Sequence, residues 1–338
     1  MNLLKKIGIV LGAILFLLLF SLLFLSRCHV DLSAYDEYLA EPSSLNDSSL
    51  YVQFAGISTL LISDGETQIL TDGFFSRPSM SRILLGEIYP DTLDIAWALD
   101  KLEASKLDGI FVLHSHFDHS MDAPEVARIT GANLYGSAST ANVGRGWGLP
   151  ENQIKVFESG ESLQIGKFRI QPILTQHYEF PNALLKERAL EGSQNIDLPL
   201  VPPAKAFDYK MGGAYSLYIE HPQSNFLIHG SAGYIKDGFS KIRPDIVFLG
   251  IGGLGKQKES YQVQYFEELL DKTEVKKVFP IHFDAFAGSI RKSLQGPTYL
   301  NNIMMDTEGS LQATLDACRS RSLEAELLPQ WEKVKLSD

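Results

Sequence analysis

Cysteine is nearly absent: Cys28 and Cys318 are the two thiols in 338 residues. Two cysteines so far apart supply no disulfide framework, so an apolar core has to hold the fold together. Neither has sequence neighbours that would lower a thiol pKa, which argues against a cysteine nucleophile. Basic clusters are missing as well. The 30 Lys and Arg stand against 41 Asp and Glu, a formal charge of -11 with no basic stripe, and this excludes a nucleic-acid surface. Fixed-period repeats and low-complexity tracts are also absent. The Gly pairs at 212–213 and 252–253 lack the strand–loop–helix setting of a nucleotide cradle and read as turns. Trp97, Trp147 and Trp331 read as packing residues.

Charge disappears entirely between residues 7 and 25, a Leu-, Phe- and Ile-rich run without Pro. Such a run crosses a hydrocarbon core of about 30 Å. It reads as one transmembrane helix. Leu25-Ser26-Arg27-Cys28 offers no small-residue cleavage site, and Arg27 spoils a lipobox, so a retained anchor is favoured over a removed signal. Lys5 and Lys6 precede the span while Arg27 alone follows it, predicting a cytoplasmic N-terminus and an exported body, periplasmic or extracellular. The expected organisation is an anchor over 1–27, a polar linker over 28–49 and one folded domain over 50–338.

Within that domain short apolar runs at 51–54, 59–62, 68–70 and 109–113 are bounded by Gly, Asp or Ser and predict strands. Helical spacing follows at 94–105 and 123–130, strand character returns at 154–157 and 168–174, and 215–220 with 225–229 suggest a hairpin. Strands at 246–249 and 278–281 flank a helix around 262–271, and 309–321 predicts a closing helix. Two groups of strands with helices interspersed predict a layered α/β sandwich. The Pro-rich stretch 192–211 is either a substrate lid or a surface insertion.

The strand Phe111-Val112-Leu113 delivers His114-Ser115-His116-Phe117-Asp118-His119 at its end. In extended chain His114, His116 and Asp118 point to one side, and a turn brings in His119. Three imidazoles and a carboxylate in six residues point to metal rather than packing. A catalytic zinc keeps three protein ligands and an open position, so this segment alone cannot fill two sites. His177 and His282 each follow a predicted strand and are the candidate partners.

The His-x-His-x-Asp-His segment, Asp72 in Leu70-Thr71-Asp72-Gly73, and the downstream His177 and His282 together resemble the metallo-β-lactamase superfamily. The resemblance implies a four-layer αββα sandwich with metals at one edge between the sheets. It implies that His114, His116 and His177 hold one metal and that Asp118, His119 and His282 hold the other, with Asp72 orienting a ligand imidazole. Where the family places a bridging Asp, this chain reads Ile228-His229-Gly230-Ser231. Ser231 removes one anion, so weaker or mixed occupancy of the second metal is expected. His229 shares the strand face of Ser231 and is either an extra ligand, a proton donor near the leaving group, or a supporting side chain.

The function implied is hydrolysis. Two cations about 3.5–4 Å apart lower the pKa of a bound water to near neutrality, with Asp118 orienting it and accepting its proton. Zinc, two per chain, is the default for a His-rich site, with manganese or iron as alternatives. The segments 244–253 and 280–286 resemble the branch of N-acylphosphatidylethanolamine phospholipase D-like and ascorbate-phosphate lactonase-like enzymes. An ester or phosphodiester bond is therefore expected, in a small-molecule, lipid or envelope-derived substrate, with a membrane anchor raising local encounter. A lactonase or β-lactamase, and a metal-binding pseudoenzyme, are the alternatives. Nothing in the sequence sets an oligomeric state.

Overall fold

Strands that are apolar on both faces must be covered on both faces, and this dictates the layering. In the computed structural model, which describes residues 3–44, 46, 48–158, 160–180, 187 and 194–337, the strands form two seven-stranded sheets. The first contains β1 (Tyr51–Gly56), β2 (Thr59–Ser63), β3 (Gln68–Thr71), β4 (Gly109–Phe111), β5 (Asn133–Gly136) and β6 (Ile154–Val156). The second contains β7 (Leu163–Ile165), β8 (Phe168–Thr175), β9 (Ala214–Glu220), β10 (Phe226–His229), β11 (Ile246–Gly250), β12 (Lys277–Ile281) and β13 (Glu324–Ala325), while β14 (Lys333–Lys335) returns to the first. Strand orders are β14-β1-β2-β3-β4-β5-β6 and β13-β12-β11-β10-β9-β8-β7. Each sheet is mixed. β1 to β3 and β7 to β10 pair antiparallel, whereas β3 to β6 and β10 to β13 pair parallel.

The period of two sorts the side chains. Leu60, Ile62, Ile69 and Phe111 face the second sheet and pack with Phe168, Ile170, Leu217, Ile219, Phe226 and Phe248. Their neighbours Leu61, Leu70 and Ile110 face outward against Ile95, Ala98, Leu99, Val126 and Ala127. These come from α3 (Thr92–Lys101) and α5 (Ala123–Thr130), which follow α2 (Met80–Leu85) and the single turn α4 (Phe117–Ser120). Beyond α6 (Ala138–Trp147), the second sheet is covered by α7 (Glu259–Phe266), which continues into a π-helical turn at Glu267–Asp271, and by α9 (Thr307–Ser320), with α8 (Tyr299–Met305) before it. Helix, sheet, sheet, helix is the expected sandwich.

α1 (Leu3–Arg27) is apolar, free of acidic residues and long enough to cross a membrane. It continues directly onto the domain: Tyr299 N donates to Cys28 O at 2.9 Å, and the Phe24 and Tyr299 rings stack at 6.3 Å. The segment 28–49, in which Leu45 and Asp47 lie outside the described residues, runs along the domain with Val30 and Ala40 buried.

Several elements escaped the sequence reading. α2, β5, α6, β7, α8 and β14 are short or mixed in polarity, and tertiary contacts decide them. α6, for instance, forms over Ala-Ser-Thr-Ala-Asn-Val-Gly-Arg-Gly-Trp, with two internal glycines, because Ser137 caps it through Thr140 N and Gly148 ends it in the left-handed region.

One buried ion pair locks the edge where the sheets meet. Arg77 Nη1 lies 3.1 Å from Asp284 Oδ2 with both side chains buried. Asp284 Oδ1 accepts from Ile57 N at 2.7 Å, and Ile57 O in turn accepts from His282 N at 2.7 Å. Ile57 and His282 both hold positive φ, 56° and 62°, conformations that side chains adopt only when their surroundings enforce them. Arg77→Ala strands the Asp284 carboxylate and is expected to cost about 3–5 kcal/mol. Urea unfolding measures it; a midpoint equal to that of the unsubstituted chain contradicts this account.

Candidate metal centre

Every residue of the proposed site leaves the C-terminal end of a strand. Asp72 follows β3, the His114–His119 segment follows β4, His177 follows β8 and His282 follows β12. Two of these strands belong to each sheet, so the side chains converge across the gap between the layers.

The sequence reading placed His114, His116 and Asp118 on one side of an extended segment. Instead the chain turns at His116, which is the N-cap of α4, so that Asp118 and His119 rise from a helical turn. The site divides accordingly. His114, His116 and His177 form one group and Asp118, His119 and His282 another, each with its ligand atoms within 4.8 Å of one another. His114 Nε2 and His116 Nδ1 are 3.1 Å apart, and His282 Nε2 lies 3.3 Å from His119 Nε2 and 3.6 Å from Asp118 Oδ2. The His114 and His119 rings, 3.7 Å between centroids, join the two groups.

Asp72 fixes this arrangement from behind. It has no exposure to solvent and a left-handed backbone, φ 55°. Its Oδ1 accepts from Leu113 N at 2.8 Å, and its Oδ2 accepts from Ser58 Oγ at 2.6 Å and from His119 Nδ1 at 2.7 Å. With its Nδ1 proton given to a carboxylate, His119 turns the lone pair of Nε2 into the site. His177 is oriented by its own neighbour, Nδ1 donating to Tyr178 O at 2.8 Å. His282 differs, because its buried Nδ1 has no hydrogen-bond partner among the described residues. Gly252 leaves room for that ring, since a Cβ there would stand 2.6 Å from Nδ1.

Charge follows geometry. Burial, then the neighbouring imidazoles, hold His114 well below the usual histidine range, and burial and His116 do the same for His177. Burial pushes Asp118 upward, but His119, His282 and His116 overcome it and hold the carboxyl well below its ordinary value. Burial likewise opposes protonation of His119, and Asp72 with Asp118 outweighs it, raising that pKa. Imidazole nitrogens beside an ionised carboxylate, three donors to a group with one side open to a cavity, fit a pair of divalent cations, one of which would replace the proton that Asp72 and Asp118 favour on His119.

One residue of the sequence reading takes another place, and one keeps its place at the edge of the site. His229 is fully buried, with Nδ1 2.7 Å from Ser216 Oγ and Nε2 donating to Gly233 O at 2.7 Å. Both nitrogens are spent and burial pushes its pKa down to about 4, so it is neither a ligand nor a proton donor; it ties β9 and β10 to the loop after them. Ser231 lies beside His177, its Oγ accepting from Tyr178 N at 3.3 Å. Ser58, which the sequence reading missed, bonds Asp72 and sits 3.0 Å from His119 Nδ1. A lone serine in a Gly-Ile-Ser turn carries no signal for that role.

His116, Asp118, His177, His282 and Ser231 open onto a cavity of about 160 Å³. The remaining lining is mostly apolar and includes Phe117, Phe207, Tyr209 and Phe286. Phe207 and Tyr209 come from the stretch 192–211, whose Gly192 and Ser193 lie outside the described residues. Its described part is pinned as a wall: Leu200 N donates to Asn142 O at 3.0 Å, and Ser115 N donates to Met211 O at 2.8 Å.

A family model described as a beta-lactamase superfamily domain matches residues 67–283, which contain Asp72 and all six grouped residues. A UPF0173 metal-dependent hydrolase of Myxococcus xanthus is 27% identical over 187 residues, 53% of this chain and 57% of that protein. Another from Cupriavidus taiwanensis is 29% identical over 189 residues, 53% of this chain and 59% of that protein. The matches thus span less than two thirds of these relatives' length. Among solved structures, a metallo hydrolase from the archaeon Ignicoccus hospitalis superposes with a TM-score of 0.53 at 15% identity, over 86% of this chain and 99% of that one. A possible metal-dependent hydrolase from Veillonella parvula gives 0.51 at 13%, over 86% of this chain and 100% of that one. These likenesses establish the fold.

Asp72→Ala is expected to lower metal affinity at the Asp118, His119 and His282 group by about 10–100-fold while leaving the other group loaded. Competition against a chromophoric chelator reads this out, and two unchanged affinities would contradict the role given to Asp72.

Proposed function

We propose, from the premise that the chain belongs to the beta-lactamase superfamily, that it is a hydrolase holding two divalent cations, zinc by default, and cleaving an ester or phosphodiester bond. The observation that carries this reading is the pair of three-donor groups side by side at the wall of one cavity. His114, His116 and His177 would hold one ion, and Asp118, His119 and His282 the other. Such ions supply Lewis acidity, lowering the pKa of water and polarising the bond to be cleaved.

The chain's own residues then have separable tasks. Asp118, kept ionised by the imidazoles around it, lines the cavity and is the group able to accept a proton from an attacking water. Asp72 and Tyr178 O hold the rings of His119 and His177 in fixed tautomers. Phe117, Phe207 and Phe286 give the cavity apolar walls, which strengthen the charge interactions beside them. Ser231 brings a hydroxyl where the resemblance would put a bridging carboxylate, so the two ions would share one anion fewer and the second is expected to bind more weakly.

The likeness of 244–253 and 280–286 to phospholipase D-like and lactonase-like enzymes supports an ester or phosphodiester as the scissile group. No Lys or Arg lines the cavity among the described residues, which favours a substrate whose only anionic part lies at the ions. α1 supports a membrane-held enzyme, and Lys5 and Lys6 at its N-terminal end support a body on the exported side.

Full-length protein is expected to carry about two metal ions per chain by elemental analysis and to turn over bis(p-nitrophenyl) phosphate or p-nitrophenyl acetate. His116→Ala and chelation are each expected to lower that turnover at least about 100-fold, with recovery on metal return for the unsubstituted chain. No bound metal after reconstitution, or turnover indifferent to chelation, would overturn the reading.

A further inference from the structure

Two short helices share an unusual distribution of apolar side chains. α2 turns Met80, Ile83 and Leu84 toward the cavity, and α8 turns Met304 and Met305 toward it. On their outer sides the same helices carry apolar residues into solvent: Leu85 is 90% exposed, Ile303 60% and Tyr299 37%. A helix that covers a core on one side and meets water on the other places polar residues outside. Tyr299 and Ile303, four residues apart, instead form one outward apolar stripe on α8.

A second observation gives that stripe its partner. Tyr299 stacks on Phe24, in the last turns of α1, and its backbone N–H bonds Cys28 at the end of that helix. A bilayer that received α1 would therefore reach α8. An apolar stripe beginning at the exit point of a membrane span matches the lipid interface.

We propose that α2 and α8 are seated in the membrane interface, and that the cavity between them opens into the bilayer and receives the acyl chain of an amphiphilic substrate. This rests on the hydrolase reading above, because it sets the ester or phosphoester head of that amphiphile at His116, Asp118, His177 and His282. The enzyme then draws its substrate from the leaflet that holds it, and the anchor supplies orientation as well as proximity.

The test uses the full-length chain in phosphatidylcholine nanodiscs and inert probes, the alkylphosphonates from ethyl to octyl, titrated by calorimetry with empty nanodiscs subtracted. Affinity is expected to climb about fourfold per added CH₂ until the cavity is full. In Leu84→Trp and Met304→Trp, two independent ways of filling the cavity, the plateau is expected at shorter chains. A flat series overturns the acyl-chain pocket while metal-dependent turnover leaves the hydrolase reading standing. Binding of no member by metal-loaded protein overturns it as well. The seat in the interface is read separately: Leu85→Trp is expected to add fluorescence quenched by brominated phosphatidylcholine, beyond that of the unsubstituted chain, and emission untouched by bromine overturns it.

Discussion

A carboxylate cut off from water has to find its hydrogen bonds inside the protein, and Asp72 finds them in three different elements. The N–H of Leu113 belongs to the strand exit that delivers the histidine cluster, Ser58 belongs to the turn between β1 and β2, and His119 belongs to the helical turn that carries Asp118. Losing any one partner leaves buried charge unmatched, so the three elements hold a single relative position. The other side of the site is set by an equivalent device: Arg77 and Asp284 fix Ile57, and Ile57 fixes the backbone of His282. Two buried anions, one from each side, thus bring ligands from two sheets together.

Layering and site were legible for the same reason. Residues 59–62 and 109–113 carry their burial in their apolar pattern, and His114 to His119 concentrates too much coordinating power to be packing. α2 and α8 were not legible, because a six- or seven-residue helix has little periodicity to read. The division of the cluster into two groups came from the resemblance and not from the spacing, which set Asp118 beside His114 and His116, because it depends on the chain leaving extended geometry at His116. His229 shows the limit most plainly. Its place two residues before Ser231 suggested a reactive role, yet in the fold its neighbours Ser216 and Gly233 occupy both nitrogens.

The cavity links chemistry to location. Its polar side is the pair of donor groups, α2 and α8 supply part of its apolar side, and α8 is in turn braced against the helix suited to cross a membrane. Composition agrees with this division: an acidic chain with no basic stripe offers nothing to a polyanion, so an anionic group would have to be met by the ions.

The claim at the centre of this account is that the six residues form two sites rather than one. The most direct test is a crystal structure of metal-soaked protein with anomalous data collected at the metal edge. Two anomalous peaks are expected, one among His114, His116 and His177 and the other among Asp118, His119 and His282. A single peak shared by both groups, or peaks elsewhere with these rings bonded to one another, would contradict it.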